Sequence, residues 1–586
     1  MISTPVLIIG AGPSGMVSAL LLAKNGIPSI LVEKRGVPGK HPKAHEISGR
    51  TLEILNTVGI PIEELESEAS PHEDGSRIIF CRTIKEEIGR VDLNDPVVQK
   101  KYKDHSSLSS PYLNLSQTAL ESIIRKYVLE NKLITYKINC EWISFEKTNQ
   151  KIISKLNDGT KEVLIESDYT LCCEGAGGQC RNALGITMKG PEKIREFANV
   201  YFTNDLTGIL PTKAKLFFIF RPDSAGVLIA HHSKKRWVYH IPLFVHEKVS
   251  DYTESKFVSH LQKAFDDPNF IPEIESISSW SMTGQIASSF SNGRIFLIGD
   301  SAHRFPPTGG LGLNSGVADA HNLCWKLSYV LNNLAEEKIL KSYEIERKPV
   351  VQINCEESLI NYHNIPKIMD VFGLSLEKME VFLKFLTSPI LSFIPEKLIY
   401  TIISVLQRIG DKVLQKKLKN PELLKKAQES INSQVGHFDR IGLDLGFIYE
   451  NEKSFEKKLP TVYHPKFVKG ARLPHFLFKE KSSFISSHTL IEYSHFILIC
   501  SGEVKNYKNI LQESELKKII KIKKIPKEIQ FSGLITTWST MTKLSDTGAI
   551  LVRPDGHILK CIQDDLLSIR DFNSYFLADS ISKMKR

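Results

Sequence analysis

Apolar and polar positions divide the chain into recognisable elements. Val6-Leu7-Ile8-Ile9 is an uninterrupted β-rich apolar run, which predicts a strand buried on both faces. It leads directly into Gly10-Ala11-Gly12-Pro13-Ser14-Gly15, then a helical pattern from Met16 to Lys24, then a second strand over Ser29-Ile30-Leu31-Val32 ending at Glu33. Further along, Phe296-Leu297-Ile298 predicts another strand that turns at Gly299-Asp300-Ser301-Ala302-His303. A Gly/Pro-rich loop from Arg304 to Gly316 follows, with a helix over Val317 to Val330. The runs from Lys215 to Phe220 and from Gly226 to His231 read as strands, and about 361–435 reads as helical, with charged faces at Lys416-Lys417 and Lys425-Lys426. The lysine-rich stretch from Lys517 to Lys527 is expected to be a solvated helix face. The most lipid-like stretch, Val381 to Leu406, is broken by Lys384, Pro389, Pro395, Glu396 and Lys397, so it is not expected to span a membrane.

The first strand–turn–helix–strand unit carries chemistry. Gly10 permits the tight turn, Gly12 lets backbone N–H groups approach a pyrophosphate, and Gly15 lets helix and strand pack closely. The helix N-terminus behind Ser14 favours phosphate charge, and Glu33, 18 residues after Gly15, is placed to accept ribose hydroxyls, with Lys34 beside it. This order of elements predicts a dinucleotide site, and by itself it does not separate FAD from NAD. In the second unit, Asp300 is a natural acceptor for a sugar-chain hydroxyl, and the side-chain-poor loop gives a flat ligand backbone to lie against.

Composition narrows the class. The 586 residues allow roughly three or four domains, and 42% apolar with 24% charged residues is ordinary globular usage. The net charge of +10 is mild for this length and does not indicate nucleic acid. Nine cysteines without a C-x-x-C pair, two of them in the apolar run at Cys172-Cys173, read as buried free thiols in a reducing compartment. The chain start has no basic n-region or cleavage site, so a cytoplasmic location is expected.

These motifs together resemble the class A flavoprotein aromatic hydroxylases, single-component FAD monooxygenases. Gly299-Asp300-Ser301-Ala302-His303, the Pro-Pro-x-Gly-Gly-x-Gly-x-Asn loop, the helix through Asp319-Ala320-His321-Asn322-Leu323, and the segment from Ser342 to Val350 match that family in order. His41-Pro42-Lys43-Ala44-His45 with Arg50-Thr51-Leu52-Glu53 resembles the version in phenol hydroxylases, especially 2,4-dichlorophenol hydroxylase. Leu171-Cys172-Cys173-Glu174-Gly175 through Arg181 resembles the family's Asp-Gly fingerprint, with Glu174 in place of the aspartate.

The resemblance implies an α/β fold: a Rossmann-like FAD-binding domain with an inserted β-sheet substrate domain, and a C-terminal thioredoxin-like domain lacking C-x-x-C. The FAD domain is expected to be discontinuous (about 1–70, 110–185 and 285–360), with the substrate sheet from about 71–109 and 186–284. A helical connector is expected at 361–435 and the thioredoxin-like domain at 436–586. FAD contacts are implied for Gly10, Gly12, Ser14, Gly15, Glu33, Lys34, Lys43, Arg50, Gln117, Glu174 and Asp300, with Pro307, Gly310, Gly312, Leu313 and Asn314 along the flavin ring. Arg50 and Gln117 also fit a solvated helix face.

The implied reaction uses NADPH or NADH as a transient reductant and O2 as co-substrate. A flavin C4a-hydroperoxide then hydroxylates a phenolic or related aromatic substrate. His45 is the candidate base for the phenol proton, since neutral imidazole accepts protons near pH 7. His303 reads instead as loop scaffold. A homodimer is expected by analogy. Two other readings remain: a flavin-dependent halogenase, because Trp237-Val238-Tyr239-His240-Ile241-Pro242 resembles a W-x-W-x-I-P signature, and a flavin-bound sensor without turnover.

Overall fold

The structure, a computed structural model, describes residues 1–37, 39, 43–108, 112–148, 150–232, 234–244, 247–388, 390, 395–449, 459–502, 507, 511 and 515–563. His41 and Pro42 of the segment before Lys43 lie outside these residues, as do residues 564–586.

The apolar run near the start becomes the strand Ile2–Ile9, whose Val6, Leu7 and Ile8 are fully buried. It pairs in parallel with Ser29–Val32 on one side and Glu162–Cys172 on the other. Ile295–Leu297 and Ile134–Lys137 extend the parallel sheet outward. The helices Pro13–Lys24 and Leu311–Leu331 pack against one another over this sheet, and their buried faces belong to its apolar core.

The second helix differs from its sequence reading. It begins at Leu311, six residues before the expected Val317, so half of the glycine-rich loop is helical. Its glycines serve contact rather than looseness. A Cβ on Gly316 would sit 2.4 Å from the Ser14 Oγ and 3.1 Å from the Gly299 Cα, so only hydrogen fits where this helix crosses the turn.

A second sheet of seven strands runs Glu273–Met282, Arg195–Thr203, Arg236–Pro242, Gly226–His232, Leu216–Ile219, Arg77–Cys81 and Glu87–Asp92. Its strands come from two separate stretches of chain, joined where Leu216–Ile219 pairs in parallel with Arg77–Cys81. Trp237 is fully buried in this sheet and donates from its indole nitrogen to the Asn204 carbonyl at 3.1 Å. Packing therefore accounts for it. The helices Ser342–Asn364, Leu376–Leu386, Glu396–Lys417 and Pro421–Asn432 follow. No helix among the described residues is long and apolar enough to cross a membrane.

The C-terminal region holds two four-stranded sheets, one of which runs Ile520–Lys524, Phe496–Cys500, Ala549–Val552, Ile558–Ile562. The lysine-rich stretch expected as a helix face is instead the edge strand Ile520–Lys524. Its residues alternate Ile, Lys, Ile, Lys, a period of two that overrides the charge pattern, and Lys521 and Lys523 reach Glu492 at 2.5 and 3.2 Å. Charges on an edge strand also discourage pairing with another chain.

This region is clamped to the first sheet through the long helix. Trp325 and Tyr329 meet Phe496 edge-on at 5.5 and 5.6 Å between ring centres. Arg553 reaches both carboxylate oxygens of Glu346 at 2.8 and 2.9 Å and also Asp555 at 2.6 Å.

Candidate functional site

The two sheets enclose a cavity of 1540 Å³. At one end it is walled by Gly10, Gly12, Ser14, Glu33, Lys34, Lys43, Gln117 and Glu174; in the middle by Asp300, Arg304, Pro307, Gly310, Gly312 and Leu313; at the far end by the seven-stranded sheet.

At the first end, local geometry follows from glycine. Gly10 has φ of +99°, and a Cβ there would lie 2.4 Å from the Cys173 carbonyl oxygen. A Cβ on Gly15 would lie 1.9 Å from the Gly10 carbonyl oxygen, so Gly15 sets the helix–strand spacing from behind the wall. Gly12 meets nothing within 4 Å, which leaves its backbone open to a ligand. No side chain caps the helix Pro13–Lys24, so its N-terminal dipole faces the cavity at Gly12 and Ser14. Glu33 is fixed at the end of its strand, accepting from the Ala11 and Arg35 N–H groups at 3.0 Å each, with lone pairs left for sugar hydroxyls.

Glu174 accepts the Cys180 N–H at 2.7 Å, its extra methylene taken up in capping the short helix Gln179–Ala183. Burial raises its pKa, opposed by the N–H groups of residues 179–181. Gln117 accepts the Ala44 N–H at 3.3 Å and donates to Glu121 at 2.7 Å, and so holds the strap that carries Lys43.

Two expected contacts lie elsewhere. Arg50 is buried away from the cavity lining, bonded to Glu53 at 2.9 Å and to the Asp555 carbonyl at 2.7 Å, so it ties the first region to the C-terminal one. Its helix, Gly49–Thr57, turns this side chain from the cavity towards the clamp. Asn314 is also outside the lining: its amide donates to the Glu46 and Gly310 carbonyls at 3.0 and 2.7 Å, and its oxygen accepts from the Ser48 N–H and the Thr51 hydroxyl. It staples the 310 turn to the strand Glu46–Ser48 from behind. His303 bonds Asp319 at 2.6 Å, and Asp319 also takes Arg347 at 2.7 Å, a fully buried scaffold beneath the turn.

Between the two ends stands His45. The strand Glu46–Ser48 pairs antiparallel with Tyr112–Asn114, which brings Asn114 Oδ1 to 2.8 Å from His45 Nδ1. Asn114 donates its amide to Ser70 Oγ and to the Ala230 carbonyl, so its Oδ1 must accept. His45 therefore carries its proton on Nδ1 and leaves Nε2 as a base. Burial holds its pKa below the ordinary histidine value.

Beside it lies an ion triad that sequence reading missed. Glu46 bonds Lys215 at 2.6 Å and Arg440 at 2.5 Å, and all three side chains are buried. Burial alone pushes the Glu46 carboxyl up, but Arg440 and Lys215 outweigh it and bring it down to about 2. Glu46 and Arg440 both face the cavity. Lys215 opens an apolar run and Arg440 lies hundreds of residues from Glu46, so no local pattern pairs them. The one available signal was Glu46 itself, next to the candidate base.

The far end is aromatic. Phe197 stacks on Trp280 with centres 4.6 Å apart and planes 6° from parallel, and Trp280 donates from its indole nitrogen towards Asn199 Oδ1 and His240 Nδ1 at 3.1 Å each. Phe218, Phe220, Val227, Ile229 and Phe438 continue the wall.

Comparison with known proteins accords with this geometry. The family model described as "FAD binding domain" matches residues 3–358. The chain belongs to this FAD-binding family. 2,4-Dichlorophenol 6-monooxygenase of Delftia acidovorans is 28% identical over 385 residues, 64% of this chain and 65% of that one. Aklavinone 12-hydroxylase RdmE of Streptomyces purpurascens is 28% identical over 399 residues, 65% of this chain and 72% of that one. The crystal structure of the flavin-dependent monooxygenase PieE in complex with FAD and substrate superposes with a TM-score of 0.83, covering 96% of each chain at 24% identity. The chain thus spans about 65% of the length of the first of these curated relatives.

The FAD-binding residues fit the cofactor. Two helix N-termini without side-chain caps, at Gly12 and Gly310, open on the same cavity, with the carboxylates of Glu33 and Asp300 for hydroxyls along it. Gly15→Ala is expected to push the first helix off its strand. Purified protein should then carry less than about a tenth of the FAD of the wild type and melt earlier, as read by flavin absorbance and calorimetry.

Proposed function

We propose that this protein is a single-component FAD-dependent monooxygenase that takes electrons from NADPH or NADH and uses O2 to hydroxylate a phenolic or fused-ring aromatic substrate. One observation carries this reading: a single cavity joins the dinucleotide cradle to an aromatic-walled end, with a neutral histidine between them. At 1540 Å³ the cavity exceeds the ~300–1,000 Å³ of ordinary small-molecule sites, as a cofactor and a sizeable substrate together require.

FAD bound along Gly10–Ser14, Glu33, Asp300 and the 307–313 turn supplies the electron transfer and oxygen activation. The chain's own residues do the rest. Phe197, Trp280, Phe218 and Phe438 bind and orient the aromatic ring and exclude water. His45 Nε2 takes the phenol proton, Asn114 fixes the tautomer that allows it, and the resulting oxyanion makes the ring electron-rich at its ortho and para carbons. The Arg440 guanidinium, held by Glu46 at the same wall, faces that oxyanion's side of the cavity.

The C-terminal region is read as thioredoxin-like. In its sheet Phe496–Cys500 is parallel to Ile520–Lys524 and antiparallel to Ala549–Val552, which is antiparallel to Ile558–Ile562. That order and those senses are the thioredoxin arrangement. Without a C-x-x-C pair, its work is the clamp on the long helix rather than thiol exchange.

The test is NAD(P)H oxidation in air across single-ring and fused-ring phenols, with products weighed by mass spectrometry. Substrate-stimulated oxidation with one added oxygen supports the reading. Flavin that no nicotinamide nucleotide reduces, with or without ligand, would overturn it in favour of a bound-flavin sensor.

A further inference from the structure

The described surface carries one concentration of apolar side chains that the hydroxylase reading does not use. On the helix Leu376–Leu386, Val381, Phe382 and Phe385 are 63%, 41% and 56% exposed. On the helix Glu396–Lys417, Leu398, Val405 and Ile409 are 51%, 47% and 53% exposed. The two helices are not loosely hung: Leu383, Ile399 and Ile403 form a small shared core on their inner sides. Their outer sides therefore stay apolar while the inner sides are already satisfied, which is unusual for a surface built only to meet water.

Charge says what covers them. Along Glu396–Lys417, Leu398, Ile402, Val405 and Ile409 recur every three or four residues, and the same face continues into Lys412 and Lys416. Lys397 and Arg408 flank it, all four cations are exposed, and the acidic Asp411 of this helix is turned inward on Arg82 at 2.6 Å. An apolar stripe bordered by unneutralised lysine and arginine matches the boundary between acyl chains and anionic headgroups, where hydrocarbon receives the stripe and phosphate receives the cations.

The face also has a place in the fold. On Leu376–Leu386, Glu377, Glu380 and Lys384 line the cavity while Phe382 and Phe385 lie outside it, so this helix separates the cavity from the apolar surface. Glu380 is held across the opening by Arg195 of the seven-stranded sheet at 2.5 Å.

We propose that the outer face of the helices Leu376–Leu386 and Glu396–Lys417 docks on the surface of an anionic lipid membrane. The helices lie in the interface plane and do not cross it, in keeping with their length and charge. The consequence that a lipophilic aromatic then reaches the cavity from the lipid rests on the hydroxylase reading; the docking itself does not.

The test is flotation of the FAD-loaded protein with vesicles, either pure phosphatidylcholine or an equal mixture with phosphatidylglycerol, at low and high salt. The expected result is binding to the mixed vesicles at low salt, weakened about tenfold or more by the exposed double change Lys412→Glu/Lys416→Glu. A comparable loss is expected from Phe382→Ser/Phe385→Ser, with flavin content and melting unchanged in both. No binding to either vesicle, or binding that neither pair of changes alters, overturns the proposal. So does a dimer in solution that Phe382→Ser/Phe385→Ser converts to monomer without vesicle binding, because a second copy then covers the face. Since flotation needs no turnover, loss of docking in a working hydroxylase would sink this proposal alone. Docking without NAD(P)H-driven hydroxylation would sink only the hydroxylase reading.

Discussion

Replacing Glu46 by alanine is expected to cost the fold about 3–5 kcal/mol, the range for removing one partner of a buried ion pair. The reason is asymmetry. Lys215 is wholly buried and Arg440 nearly so, and without Glu46 both cations remain in the interior with no counter-charge. Glu46→Gln keeps the volume and a hydrogen-bonding oxygen, so it should lose less in packing but nearly as much in charge. Denaturant unfolding checks this, and stabilities of both variants within about 1 kcal/mol of the wild type would mean that the triad is not a structural keystone.

The same pair predicts a pH dependence. The folded Glu46 carboxyl lies at about 2, below its ordinary 4.5. Its contribution is therefore complete above about 4.5 and is lost as pH falls through 4.5 towards 2, amounting to ~3 kcal/mol over that window. In Glu46→Gln this acid-side loss should shrink by that amount, a comparison that unfolding curves at a series of acid pH values can make directly.

His45→Ala is expected to lower kcat for a phenolic substrate about 10²-fold at neutral pH, the lower range for loss of a positioned general base. Flavin content should stay near wild type, because His45 is joined to Asn114 and stands between the cofactor cradle and the aromatic wall. The defect should fade at alkaline pH, where the phenol loses its proton to solvent and needs no base. In the wild type, burial depresses the His45 pKa, so the imidazole stays neutral below 6.5 and the acid limb of the activity profile should fall below that value. A variant that hydroxylates at the wild-type rate across the whole pH range would remove His45 from the chemistry and leave it a wall residue.

Sequence alone determined those parts of the protein whose physics is local. The run Val6–Ile9, the glycines at 10, 12 and 15 and the acid at Glu33 lie within one strand–turn–helix–strand unit, where each requirement falls on neighbouring residues. The same holds for the turn at Asp300 and for the strands at 216–219 and 226–232. Alternation was also legible in Ile520–Lys524, although net charge there suggested a helix; period, set by the backbone, decides over charge, which only asks for water.

What tertiary structure decided is which side chains meet across the chain. Arg50 and Asn314 sit in the expected segments, yet one is turned to the C-terminal clamp and the other behind the 310 turn, because direction off a helix depends on what packs against it. Lys215, Arg440 and Glu46 come from three distant segments, as do Asn114 and His45. Their partnership is enforced by burial: a charge or amide taken out of water must find its complement wherever the fold brings one, and no spacing along the chain encodes that meeting.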